Sequence, residues 1–409
     1  MKMKKFLTAA LFVATTLAAN AQAINVSSAF QNMRKNYLNK AKAEIDAACL
    51  HDATKDDAKT WCYKALIYAR IGGEAANKKS KFKDLAPDWA EQAYTAALEC
   101  KRLDTKNEFA QQVNEVFSFV GNEYYTQARE AYNAKNFALA VELSDKSSTC
   151  FTNAGKGQYA VESMYIAGIA SHAQHDTAGV KKYFNNMVRR KTETNFVYQT
   201  LFDIAIAEGK NDEAMKVANN YVKNCKNDYQ AYVLSAAGYF LNKNMEKGKE
   251  QLDAAVNLTK DSASLYPVVL VKAGSLLDDV AGDYEAAEAR FKESLTLRPA
   301  QFEANFGMGK MIYNRAVDKN NAANQVDPFS DETGLYDKLS TESKELFRQS
   351  IEYLVKAVNF YDGLTDDNQK NALRPSLGNA LTALANAYAR VDMLTESEAA
   401  KARLQQLMN

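Results

Sequence analysis

The chain has 409 residues, 47% hydrophobic and 25% charged, which is the make-up of a folded globular protein and excludes a disordered one. Its 51 Lys and Arg against 50 Asp and Glu leave a net charge of +1, so the basic footprint of a nucleic-acid binder is missing. With only 5 Pro and 17 Gly, residues that turns and strands use and long helices exclude, the chain is expected to be helical.

The first residues carry a targeting pattern. Lys2, Lys4 and Lys5 form a positive start, and Phe6 to Ala19 is apolar. Ala19-Asn20-Ala21 or Ala21-Gln22-Ala23 then offers small residues at signal-peptidase spacing, so residues 1–23 are expected to be a signal peptide. No Cys follows that would take a lipid anchor, and no later stretch is apolar enough to cross a membrane. The expected location is therefore the periplasm or the outside of the cell, with the chain soluble after cleavage.

Residues 24–409 read as a succession of amphipathic helices. In chain order, the first clear helix places Trp61, Ala65 and Tyr68 on one face, and its partner carries Ala90, Tyr94, Ala97 and Leu98. Between them lies a Gly-Gly and Lys-rich connection near 71–88, longer than a tight turn. Further second helices are marked by Ala140, by Val180 with Phe184, by Ala214 after Gly209, and by Gly248, Leu252 and Ala255. First helices between them carry Gly168, then Tyr232, Ala236 and Tyr239.

The clearest unit starts at Gly282-Asp283, a turn, followed by Ala287, Phe291, Ser294, Leu295 and Leu297 at helical spacing and closed by Pro299. The next helix alternates bulky Phe306, Met308 and Ile312 with small Gly307 and Gly309. A longer insertion near 314–343 follows, and the last unit keeps Leu384, Ala385 and Tyr388.

This alternation of small and bulky slots over helix-turn-helix units of about 34 residues resembles the tetratricopeptide repeat (TPR). The arrangement from Met311 onward resembles exported multi-TPR proteins of Bacteroidota. The resemblance implies an all-α, right-handed TPR α-solenoid of antiparallel helix pairs, in about eight or nine units. The repeat array, the targeting segment and the lack of a catalytic constellation together lead to the expectation of a non-enzymatic protein–protein interaction scaffold of the cell envelope, gripping a peptide or protein on its concave surface. A small-molecule carrier of glycans or peptides is the alternative.

In such an array the first helices line the concave wall. By register that wall holds Tyr125, Arg129, Tyr132, Tyr165, Phe196, Asp203, Phe240, Phe306, Lys310 and Tyr313, the residue types of binding hot spots. TPR domains that clamp a chaperone's C-terminal carboxylate use Lys and Asn in this wall. The matching places here are Cys62, Tyr125, Tyr165, Gln199, Val233 and Val271, so that clamp is not expected.

Hydrolase elbows, phosphate loops, zinc helices and EF-hand loops are missing from the sequence, so no enzyme, cofactor or metal is expected. His172, His175 and Asp176 cluster, but at a turn between two helices, where exposed turn residues explain them equally well. The five Cys are odd in number and form no CxxC. They are expected buried and unpaired, with Cys49 and Cys62 the pair to examine first.

Overall fold

A computed structural model describes residues 25–408, and every described element is helical. The expected signal segment, residues 1–23, lies outside the described residues. The chain divides into two compact units, one ending at Thr192 and one beginning at Glu193.

In the first unit a helix over 25–34 (α1) is followed by α2 (Leu38–Leu50), α3 (Ala58–Ala75), α4 (Trp89–Leu103), α5 (Ala110–Asn133), α6 (Phe137–Asn153), α7 (Gly157–Ala173) and α8 (Thr177–Arg189). The second unit holds α9 (Asn195–Ala207), α10 (Asn211–Asn224), α11 (Tyr229–Leu241), α12 (Met245–Thr259), α13 (Tyr266–Leu276), α14 (Tyr284–Leu297), α15 (Phe302–Ala323), α16 (Leu335–Asp362), α17 (Asp367–Arg390) and α18 (Leu394–Met408). Within each unit a helix packs against its neighbours in sequence, and first helices also touch the first helix of the next pair: α3 with α5, α5 with α7, α11 with α13, α13 with α15.

One turn recurs, and it sets the antiparallel pairing. A helix ends in a residue of left-handed backbone, and the next residue opens the following helix. Lys135 (φ +60°), His175 (φ +58°), Gly209 (φ +71°), Lys243 (φ +59°) and Gly282 (φ +67°) hold the left-handed place. The residue after it reaches back: the N–H groups of Asn136, Asp176, Lys210 and Asn244 donate to the carbonyls of Ala131, Ser171, Ala205 and Tyr239 at 2.8–2.9 Å. Where that residue is Asn136, Asp176, Asn244 or Asp283, its side chain also caps the new helix, accepting from the backbone N–H three residues on.

Packing within the pairs follows the small-and-bulky logic. A Cβ on Gly168 of α7 would lie 2.1 Å from the Phe184 ring of α8, and one on Gly248 of α12 would lie 2.2 Å from the Phe240 ring of α11. Only glycine lets these rings seat against the opposing backbone. Phe291 of α14 serves two neighbours, filling the space beside both Gly274 of α13 and Gly307 of α15.

Several expectations are corrected. Phe240 is 2% exposed, the ring that fills the Gly248 gap, so it belongs to the core and offers no wall surface. Leu297 (50% exposed) and Leu98 (37%) sit off the buried stripe, because each is rotated away from the positions their helices press inward. The Gly-Gly of the first connection is not a turn: α3 runs through Gly72 and Gly73, and Gly72 makes room for the Trp89 ring. The loop over 76–88 that follows is anchored by buried Phe82 and Ala86. Most of the insertion near 314–343 is helix, lengthening α15 and α16, and only 324–334 is non-helical.

No disulfide joins the five thiols. Cys62 lies beside Cys100 rather than Cys49, and that contact together with burial pushes its thiol well above the ordinary range. Burial likewise lifts Cys49 to about 11 and Cys150 to about 12, so both stay protonated and unreactive near neutrality. Cys225 is half-buried rather than buried.

Candidate functional site

Four first helices of the second unit, α9, α11, α13 and α15, present the same stripe to one pocket of about 520 Å³. The stripe repeats at helical spacing: Gln199 and Phe202 on α9; Gln230, Val233 and Ala237 on α11; Lys272 and Leu276 on α13; Glu303, Phe306 and Lys310 on α15. Phe202, Leu234 and Val271, each under 9% exposed, form an apolar floor. Asn195, Gln199 and Gln230 supply amides at the rim, and Lys272 and Glu303 are exposed charges. Val271, Lys272 and Glu303 also line a second cavity of about 670 Å³ that carries the groove on to Arg298, Pro299 and Phe360.

The charges are unevenly spent. Lys310 Nζ lies 2.6 Å from Asp279 and 4.0 Å from Asp278, so its charge is largely engaged. Asp278 sits in a single π-helical turn, Leu277–Ala281, that ends α13; its side chain is 4% exposed and its Oδ2 has no hydrogen-bond partner. Burial raises its pKa, the neighbouring Asp279 raises it further, and Lys310 opposes both. Lys272 has no carboxylate within ion-pair distance among the described residues, and its Nζ lies 5.6 Å from the centre of the Tyr229 ring. Gln199 donates to Asp203 at 2.9 Å, which holds its amide along α9.

Apart from the buried Phe240, the residues expected on the wall fall into three groups. Phe306 and Lys310 meet in the pocket. Phe196, 41% exposed, and Asp203, exposed, lie on α9 outside the lining, while half-buried Tyr313 packs its ring 5.5 Å from that of Phe347. Tyr125, Arg129, Tyr132 and Tyr165 belong to the first unit: Arg129 lies over the Tyr125 ring, Tyr132 packs on Phe137, and Tyr165 stacks on Phe184. Reading single hot-spot residue types missed Phe202, Gln230, Lys272 and Glu303. The signal that finds them is the repeat register itself, since Gln199, Val233 and Val271, assigned to one equivalent wall position, all line this pocket.

The His cluster resolves into turn chemistry. His175 takes the left-handed position, Asp176 accepts from Gly179 N–H at 3.0 Å as the cap of α8, and His172 lies in the last turn of α7. Among the described residues no group of three or more His, Cys, Asp or Glu is placed to hold a metal ion, and no helix is long and apolar enough to cross a membrane.

No family model matches the chain, and no curated protein matches it. Solved structures similar to it include a TPR-repeat protein from Bacteroides fragilis, 19% identical, covering 64% of this chain and 97% of that one at a TM-score of 0.25. Yeast Tom70 is 10% identical, covering 94% of this chain and 89% of that one at a TM-score of 0.33. YrrB, described as a TPR protein with an unusual peptide-binding site, is 13% identical, covering 54% and 97% at a TM-score of 0.26. What decides the architecture is the repeat in this chain: helix pairs closed by one turn, packed glycine against ring, with first helices touching the next first helix within each unit. The fold is a TPR array. In TPR terms the pocket lies on the first-helix wall, to which successive units contribute equivalent positions.

Proposed function

We propose that this protein is a non-enzymatic interaction scaffold of the cell envelope that seats a peptide segment or protein face on the first-helix wall of its second unit. The observation that carries this reading is the pocket, to which four successive repeats deliver the same helical stripe. Its apolar floor suits an anchoring side chain, and its rim amides can donate to a peptide carbonyl and accept from a peptide N–H. The scaffold reading gains support from the way the reactive groups are used, with Asp176 spent on a cap and the buried thiols held protonated. The envelope location rests on the basic, apolar and small-residue order of residues 1–23.

A photo-crosslinking residue at Gln199 or Phe306, with second-helix controls at Lys249 and Lys292, tests the wall in living cells. A discrete protein adduct from the wall positions alone is the expected result, and loss of that adduct in Lys272→Glu would place the partner in the pocket. Adducts from controls and wall alike, or from neither, would defeat the reading. The mass of the protein isolated from cells tests export separately, since cleavage after Ala21 or Ala23 is expected. The pocket volume of about 520 Å³ also falls in the range of small-ligand sites, roughly 300–1,000 Å³, so a glycan or short-peptide carrier is the second reading. A ligand screen by thermal shift separates the two, because a ligand that binds only the folded state raises its midpoint.

A further inference from the structure

We propose that the loop over 324–334 of one copy docks its Phe329 into the second-unit pocket of another copy, linking molecules head to tail. The inference rests on the reading that this pocket seats an anchored peptide, and it names a segment of this same chain as one such peptide.

Phe329 is 99% exposed, more than any other large apolar side chain among the described residues. The backbone on either side of the ring is held by local bonds. Asp327 accepts from Phe329 N–H at 3.0 Å and from Ser330 Oγ at 2.9 Å. Asp331 accepts from the Thr333 N–H and hydroxyl at 3.0 and 2.6 Å and from Tyr336 N–H at 2.6 Å. Pro328 restricts the backbone before the ring, and Gly334 takes the left-handed turn at φ +66° that starts α16. A loop whose backbone is already fixed by local bonds loses less freedom on docking than a slack one, which is the economy of a preorganised binding element.

Charge gives the loop a direction. Asp327, Asp331 and Glu332 are its ionisable residues, and it carries no Lys or Arg. The pocket offers an aromatic and aliphatic floor whose exposed charges are Lys272, a cation without a carboxylate partner among the described residues, and the carboxylate of Glu303; Arg298, which donates to the Ala263 and Ser264 carbonyls, lies further along the same groove. A Phe flanked by carboxylates fits with its ring on the floor and an acid on Lys272, turned away from Glu303.

The loop cannot fill the pocket of its own chain. Lys310 lines the pocket, whereas the loop leaves the far end of α15 after Ala323, roughly 20 Å further along at about 1.5 Å of rise per residue. Donor and acceptor therefore sit at separated places on one molecule. A contact between two different patches is heterologous, and unless the rotation closes a ring it extends into open chains.

Sedimentation equilibrium of the full chain tests this over a wide concentration range. The wild-type average mass should rise with concentration past that of a dimer, without a plateau. Phe329→Asp removes the donor and Lys272→Glu weakens the acceptor; both positions are exposed, so circular dichroism should show each variant folded. Each alone should weaken association by about tenfold or more. Mixed together, they should form a one-to-one complex that grows no further, because each molecule retains only one working half. Wild-type protein that stays monomeric, or variants that fail to complement on mixing, would overturn the inference. If the pocket still crosslinks a foreign partner in that case, the scaffold reading stands and only the head-to-tail link falls.

Discussion

Glycine in a helix interior normally costs about 1 kcal/mol relative to alanine, yet Gly168 sits in the middle of α7. The reason is the Phe184 ring, 2.1 Å from where a Cβ would stand. Gly168→Ala should therefore destabilise the fold by about 1–3 kcal/mol despite its better helix propensity. Denaturant unfolding would show it, and Phe184→Leu in the same chain should restore part of the loss, since the two residues share one space. Asp278 is the opposite case, a carboxyl group the fold tolerates at a cost. Its folded pKa is raised above the ordinary 3.8, so the folded state binds the extra proton and stability falls as pH climbs from 3.8 through the raised value. Asp278→Asn should then gain on the order of 1 kcal/mol near neutral pH, where the buried charge is removed, and gain nothing in acid below the ordinary carboxyl range. A gain that is equal at both pH values would show that ionisation is not the cause.

The turn between the paired helices matters most at the scale of elements. Its work is divided between a left-handed residue that ends one helix and a cap that opens the next, as with Gly282 and Asp283. Asp283 has two partners: it is ion-paired with Lys249 and accepts from Ala286 N–H at 3.1 Å, and these, Lys249 foremost, hold its carboxyl below the usual range. The cap is the larger contribution, because the pair is partly exposed to water. Asp283→Ala should cost about 1 kcal/mol by thermal or denaturant unfolding, while Lys249→Ala should cost only a few tenths. Equal losses would assign the stability to the ion pair. Lys135, His175 and Lys243 hold the left-handed place without being glycine, so this turn is specified by the helix ends and caps around it more than by one residue type.

Across the whole molecule, each repeat relies on its neighbours, and a residue shared by two pairs should matter more than one confined to its own. Phe291 packs against both α13 and α15. Large-to-small changes of buried aromatics cost about 3–5 kcal/mol, and Phe291→Ala should lie at the upper end. Hydrogen exchange should show the Phe291→Ala damage spreading over α13 to α15 in the second unit. The helical class, the pairing and the slots for small and bulky residues were legible in the sequence, because they depend on local periodicity and on residue size. Gly168, Gly248 and Gly307 could be read as points of close approach from spacing alone. Which ring fills each gap could not be read, and Phe240 shows why: its register is that of a wall residue, but its ring turns inward to meet Gly248. The pocket was half legible. Phe306 and Lys310 followed from register, but Lys272 stands out only once Lys310 is seen engaged by Asp279 and Lys272 is not. Periodicity along one chain states which face of a helix is buried. Which charges remain unpaired, and which side chains from four helices converge on one space, depends on distances between segments far apart in sequence, and only the tertiary structure sets those.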